Sequence, residues 1–175
     1  MMLNYKAESK VAQASFVIKH KVYFTLCLIL AVFDQMTKIV ISSDFSLGES
    51  VSITSFFSLT YLKNSGAAFS FLADSGDLQR YFLLSISIVA SLALIFWIQK
   101  TDVCYRQRLL GQSVLLAGAI GNLIDRALFG SVIDFIDLHY EGFYWPVFNL
   151  ADSFIFIGVA LLLFEGRQSK NSGEL

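Results

Sequence analysis

Three aspartates, two asparagines and an arginine stand between two apolar runs of this chain. They fall in Gly121-Asn122-Leu123-Ile124-Asp125-Arg126, then Val132-Ile133-Asp134-Phe135, then Phe148-Asn149-Leu150-Ala151-Asp152. Ionisable groups near lipid are expensive, so each marks a candidate functional site. Two carboxylates brought close cannot both ionise readily, and they share a proton. The ionised member can then deprotonate a water while the protonated one donates to an amide oxygen or a leaving nitrogen. That is aspartic-protease chemistry. Asp134 and Asp152 are the leading pair, and Asp125 competes with Asp134 for its place. The bland alternative makes Asn149 the cap of a helix with Asp152 in its first turn, and Asp134 a hydrated loop carboxylate.

Other chemistries find little support. There is no HExxH, no phosphate loop and no Gly-x-Ser-x-Gly elbow. Of the two histidines, His20 lies among N-terminal lysines and His139 reads as a solvated or interfacial residue. Lys38 and Lys63 could in principle activate a serine, yet no spacing selects one. Cys27 and Cys104 form no CxxC and no Cys/His cluster, so neither a disulfide framework nor a zinc site is expected.

The elements that must position these residues are apolar. The chain has 175 residues, 55% of them hydrophobic, with 17 Phe, a single proline at Pro146 and a formal net charge of -1. No basic excess suggests nucleic acid. Four apolar runs stand out, at about 22–42, 81–98, 109–124 and 148–164. A spanning helix needs about 20 such residues. The first run is interrupted by Asp34, Gln35 and Lys38. Its clean core, Val22–Phe33, has the form of a signal-peptide apolar region, but no small-residue cleavage site follows Phe33, so it is expected to remain as the first helix.

Positive charge sets the orientation. Lys6, Lys10, Lys19, Lys21, Lys100, Arg106, Arg108, Arg167 and Lys170 fall in 1–21, 99–108 and 165–175, which are therefore expected to be cytoplasmic. The loops 43–80 and 125–147 hold only Lys63, Arg80 and Arg126, and are expected outside, with Asp134 and Asp152 at the same outer depth. Trp97 fits an inner interface anchor. In the first outer loop Val51, Ile53, Phe57, Leu59 and Tyr61 alternate with Ser52, Thr54, Ser58 and Thr60, broken by Phe56, which predicts a short strand. Asn64-Ser65-Gly66 predicts a turn, Ala67–Leu72 a returning strand, Leu78–Phe82 a stretch on the membrane surface and Gly130–Leu138 a third strand. The predicted fold is an all-α membrane protein: four transmembrane helices, a small outer-face β-sheet cradle and a short interfacial helix, in a single domain over 1–175.

These segments, together with Asn64-Ser65-Gly66-Ala67-Ala68-Phe69 and Asp34-Gln35-Met36-Thr37-Lys38, resemble the lipoprotein signal peptidases (signal peptidase II). The resemblance runs from about Phe33 to Gly166 through five ordered motifs. Where the family begins its third-span motif with two glycines, this chain has Ala117-Gly118. Ala117 and Gly121 still form a small-xxx-small face for close helix packing.

The resemblance implies that Asp134 and Asp152 are the catalytic dyad. Asp34, Lys38, Asn64, Gly66, Asn122, Asp125, Arg126, Asn149 and Ala151 become supporting or substrate-binding positions, with Asn64 and Arg126 as substrate-backbone contacts. It implies no cofactor or metal, a bacterial inner-membrane location with both termini cytoplasmic, and a functional monomer. The substrate it implies is a diacylglyceryl-modified prolipoprotein, met among membrane lipid and cut before the lipidated cysteine. On the residues alone, Asn122 and Asp125 at i, i+3 can share a helix face, and Asp34 and Lys38 at i, i+4 can form a local ion pair. The principal rival is a polytopic transporter or channel subunit with Asp34, Asp125 and Asp152 as a proton relay; a structural membrane subunit would not need so many polar groups.

Overall fold

A computed structural model of the chain describes residues 2–66 and 77–171, with side chains over 20–66 and 78–165. Four long helices carry a four-stranded sheet. In chain order they are α1 (Met2–Asp44), β1 (Ser50–Ser52), β2 (Phe57–Asn64), α2 (Asp77–Lys100), α3 (Arg106–Phe129), β3 (Val132–Tyr140), β4 (Phe143–Tyr144) and α4 (Leu150–Asn171). The sheet order is β1-β2-β3-β4, antiparallel throughout.

Within α1 and α2, the segments His20–Asp44 and Leu78–Lys100 are long and apolar enough to cross a membrane. The helices are inside-out in character. Val22, Leu28, Ile29 and Ile39 on α1, Val89 and Phe96 on α2, and Phe156 and Leu163 on α4 are all exposed. A continuous apolar exterior of this kind marks a surface made to meet something other than water.

Helix α3 differs because it is central, packing against α1, α2 and α4. It can therefore carry Gln112, Ser113, Asn122 and Asp125 fully or nearly fully buried. Its seam with α4 is made by glycines. A Cβ on Gly118 would collide with the Ala151 carbonyl, and one on Gly158 would lie 2.6 Å from the Leu115 nitrogen. Small residues let the two backbones touch. Ala117 packs with Cys27, Ile98, Leu109 and Leu116, while a Cβ on Gly121 would lie 2.5 Å from Asp34 Oδ2. A second cluster, Ile41, Tyr61, Ile133 and Phe135, fastens the sheet to the end of α1.

Several expectations are corrected. The strand expected over 51–61 is a hairpin. Ile53 and Thr54 both donate to the Phe57 carbonyl, and Thr54 Oγ1 accepts from the Phe56 nitrogen, so the chain reverses where Phe56 broke the alternation. The surface stretch at 78–82 is not a separate interfacial helix but the opening of α2, because nothing there breaks the helical run. Helix α3 continues past Ile124 to Phe129, so Asp125 and Arg126 ride on its last turns rather than in a loop. Phe148 is not helical: it bridges Ile136 on β3, and α4 starts at Leu150.

The turn expected at 64–66 is present, with the Gly66 nitrogen donating to Asn64 Oδ1 (2.8 Å). The third strand runs two residues beyond its expected end and turns through Glu141 (φ 47) and Gly142 (φ 86) into β4. Paired positive φ values suit the twist of a two-residue hairpin. The returning strand expected at Ala67–Leu72 lies outside the described residues.

Candidate active site

Asp134 sits on β3 opposite Leu62, just past a register shift between Leu59 and Leu62. A bulge re-aims the side chains beside it. The segment leading into α4 then closes on β3: the Phe148 carbonyl accepts from the nitrogens of Phe135 (2.9 Å) and Ile136 (2.7 Å). That pairing carries Asn149 to Asp134.

Asn149 is the cap of α4, with Oδ1 accepting from the Asp152 nitrogen (2.9 Å) while the Asn149 nitrogen donates to Asp152 Oδ2 (3.4 Å). This reciprocal cap satisfies two backbone donors that a helix start leaves open. The helix-cap reading of the sequence is therefore correct, and the cap belongs to the cluster as well. With Oδ1 occupied, Asn149 turns Nδ2 towards Asp134 Oδ1 (2.6 Å) and Asn122 Oδ1 (3.2 Å). Asn122 in turn gives Nδ2 to Asp152 Oδ1 (2.7 Å). The two carboxylates are thus joined through two amides, Asp134–Asn149–Asn122–Asp152. Asn64 adds a donor to Asp134 Oδ2 (2.9 Å), oriented by the Gly66 nitrogen on its own oxygen. Gly66 (φ 98) takes a left-handed backbone conformation that strains other residues, and a Cβ there would also press on the end of the Leu83 side chain.

Asp134 is 2% exposed. Burial pushes its carboxyl up to about 6. Hydrogen bonds from Asn64 and Asn149 pull it down, the Asp152 charge pushes it further up, and Lys38 pulls it down. Asp152 is only half-buried and faces a cavity.

Beneath the pair lies a charged layer. Lys38 Nζ reaches Asp34 Oδ2 (2.9 Å), Asp125 Oδ2 (3.0 Å) and Asn122 Oδ1 (3.2 Å), which uses the three donors of an ammonium. The local Asp34–Lys38 pair is thus present, as two members of a buried triad completed by Asp125. Gln35 crosses it, donating to Asp125 Oδ1 (2.9 Å), the Gly121 carbonyl (3.1 Å) and Asp34 Oδ2 (3.2 Å). Each acid also accepts from backbone, Asp34 through the oxygen that Lys38 leaves free and Asp125 through the one that Lys38 touches. Asp34 Oδ1 accepts from the Ala151 nitrogen (2.8 Å), and Asp125 Oδ2 from the Ile133 nitrogen (3.0 Å). Each acid therefore holds the residue immediately before one member of the Asp134/Asp152 pair. Asp125, fully buried and bonded through both oxygens, presents no free edge to a substrate. Ala151, also fully buried, has room for a methyl group only, wedged against Gly118 and Gly121.

Arg126 lies within the electrostatic reach of Asp152, Asp134 and Asp125 and donates to Ser87 Oγ of α2 (3.3 Å). His139 stacks on Tyr144, and Asp137 accepts from Thr60 Oγ1 (2.7 Å); both belong to the sheet. Cys27 and Cys104 are free thiols. Sequence reasoning quoted Gln35 but gave it no role. Its signal was a neutral amide next to Asp34 inside an apolar run, where an unpaired polar group is costly.

The comparisons point one way. Residues 26–166 match the family model for Signal peptidase (SPase) II. A "Lipoprotein signal peptidase" of Pseudoalteromonas translucida (strain TAC 125) is 44% identical over 157 residues, 90% of this chain and 92% of its own. One from Janthinobacterium sp. (strain Marseille) is 46% identical over 142 residues, 80% of this chain and 84% of its own. Among solved structures, a bacterial membrane enzyme determined by the in meso method at 1.9 Å resolution has a TM-score of 0.74 and 35% identity over 82% of this chain and 91% of that one. A second, determined at 2.3 Å, has a TM-score of 0.76 and 33% identity over 89% and 92%. Two aspartates bridged by amides on a helix-rich membrane scaffold, with sequence relatives along nearly the whole chain, lead to one assignment: the chain belongs to the signal peptidase II family of membrane aspartyl proteases.

Proposed function

We propose that this protein removes the signal peptide from diacylglyceryl-modified prolipoproteins, cutting before the lipidated cysteine with Asp134 and Asp152 as the catalytic dyad. The observation that carries this reading is the amide bridge joining the two carboxylates, which links them while leaving Asp152 open to a cavity. Asp134, buried and holding its proton up to about pH 6, is the acid. Asp152, in the first turn of α4, is the base; a helix start favours negative charge.

Asp152 takes a proton from water as the oxygen attacks the scissile carbonyl carbon, and Asp134 gives its proton to the carbonyl oxygen. The resulting gem-diol collapses with the C–N bond breaking. Asp152 passes its proton to the leaving nitrogen, and Asp134 recovers one from the diol hydroxyl. The signal peptide leaves as a carboxylic acid and the lipidated cysteine as a free amine. Asn64, Asn122 and Asn149 orient the acids, while Asp34, Gln35, Lys38 and Asp125 fix the backbone on which they stand. Arg126, with no acidic partner within salt-bridge distance among the described residues, is free to hold a substrate carbonyl.

In this reading all four helices cross the bacterial inner membrane. The ends carrying Lys21, Lys100, Arg106 and Arg108 face the cytoplasm, and the sheet and dyad face outward. The gathering of Asp34, Asp125, Asp134 and Asp152 around the shared partners Lys38 and Asn122 favours this over a proton relay, which needs acids spread through the bilayer depth. The test is incubation of purified protein in detergent with a lipidated prolipoprotein, followed by mass spectrometry. The expected result is loss of the signal-peptide mass, abolished in Asp134→Asn and in Asp152→Asn. Cleavage by either variant at near wild-type rate would refute the dyad.

A further inference from the structure

Helix α2 opens with a buried amide. Gln79, Leu83, Ser87 and Ser91 recur every fourth residue and so share one face of the helix. Gln79, Leu83 and Ser91 are buried, while Ser87 accepts from Arg126 (3.3 Å), so this face looks towards the site. Gln79 is only 9% exposed, and an amide so placed is costly unless it is bonded. Its Nε2 donates to the Gly66 carbonyl (3.3 Å), thirteen residues back in the chain. The Leu83 side chain lies against the same glycine. Gly66 stands at φ 98, and a glycine moves between left- and right-handed backbone at little cost. The two contacts from α2 therefore select the conformation it takes. A chain of bonds depends on that choice. The Gly66 nitrogen donates to Asn64 Oδ1 (2.8 Å), and Asn64 Nδ2 donates to Asp134 Oδ2 (2.9 Å).

We propose that Gln79 is a positioning residue for the reaction, holding Gly66 so that Asn64 keeps its grip on Asp134. The inference rests on the proteolytic reading above and adds α2 to the elements that orient the dyad. The tethers from Asp34 and Asp125 act on backbone beside the two aspartates. This one acts on Asp134 Oδ2, the oxygen that Asn149 leaves to Asn64. An amide donor on a carboxylate favours its ionised form. Loosening Asn64 therefore lets Asp134 keep its proton to higher pH. The other charged groups around Asp134 are Lys38 with its partners Asp34 and Asp125, Arg126, and Asp152, and a change at position 79 alters none of them. The effect thus has a sign that a general loss of stability does not share.

The test is the pH profile of kcat/KM on a lipidated prolipoprotein in detergent, for wild type, Gln79→Met, Asn64→Ala and the double variant. Met matches Gln in length and has no N–H to give. For Gln79→Met the descending limb is expected to move up by about 0.5–1 pH unit, with kcat lowered about tenfold. Asn64→Ala should move the limb the same way, and adding Gln79→Met to it should move it no further, because the hold passes through Asn64. A limb that stays in place while Tm falls would reduce Gln79 to a structural fastening and overturn the role, as would two shifts that add. Gln79→Ala carries the same expectations if Gln79→Met does not fold. Hydrogen exchange at the Gly66 amide reads the tether without turnover. It should quicken about tenfold or more in the variant, and unchanged exchange would overturn the tether while leaving proteolysis intact. Failure of the wild-type protein to cut the substrate would instead overturn the proteolytic reading, and this role with it.

Discussion

Replacing Asp134 by Asn removes a carboxyl that the fold holds out of its ordinary range, and the effect on stability can be worked out with its sign. In the unfolded chain this acid loses its proton near 3.8, and in the folded protein near 6. Between those values the folded state binds more protons than the unfolded one, so the contribution falls as pH rises through the window and is fully lost above it. About two pH units at 1.36 kcal/mol each amount to roughly 3 kcal/mol. Asn carries no charge at any pH and removes that slope. It also has one acceptor where Asp134 offers two, so either Asn64 or Asn149 loses its partner, a pH-independent cost of about 1–3 kcal/mol. The variant should therefore be less stable than wild type at pH 4 and should gain roughly 3 kcal/mol on it by pH 7.5. At about 2–4 °C per kcal/mol for a domain of this size, the difference in Tm should swing by roughly 6–12 °C. Thermal unfolding of both purified proteins in one detergent, at both pH values, measures it directly. A Tm difference that stays constant, or that moves in the opposite direction, would refute the account of Asp134 as a proton-holding acid.

Other substitutions probe the scaffold and the chemistry. Lys38→Met leaves Asp34 and Asp125 buried without their counter-ion and should cost about 3–5 kcal/mol, seen as a large fall in Tm and in folded yield. Gly118→Ala drives a methyl group into the Ala151 carbonyl and towards Ile155; it should cost about 1–3 kcal/mol and lower the rate of signal-peptide cleavage, because the start of α4 must shift. The pH profile of kcat/KM should fall as pH rises past about 6, where Asp134 gives up its proton. A profile flat from pH 5 to 8 would contradict its role as the acid.

What was legible in the sequence divides along physical lines. Asn149 and Asp152 were readable as a helix start because a cap is a local rule written in four consecutive residues. The Asn64-Ser65-Gly66 turn was readable for the same reason. The approach of Asp134 to Asp152 was not readable from local rules. It depends on Phe148 pairing with β3, a contact whose apolar residues read equally well as the first turn of a helix. The reach of α3 to Phe129 was hidden because polarity at Asn122, Asp125 and Arg126 resembles the end of a lipid-facing run. The helix is in fact enclosed by its neighbours and can afford them. Lys38 and Asp34 announced an ion pair by their spacing. The second acid, Asp125, came from eighty-odd residues away, and no periodicity reports such a distance.

The tethers from Asp34 and Asp125 end on main-chain nitrogens, those of Ala151 and Ile133. An anchor of that kind does not read the side chain it holds. Position 133 can therefore drift among apolar residues with the tether intact, whereas position 151 is confined to small residues by Gly118 and Gly121. Proline is barred from both, since it has no N–H to offer. The placement of the two aspartates is thereby tied through main chain to α1, α3 and the ammonium of Lys38, rather than to the identity of the side chains at 133 and 151.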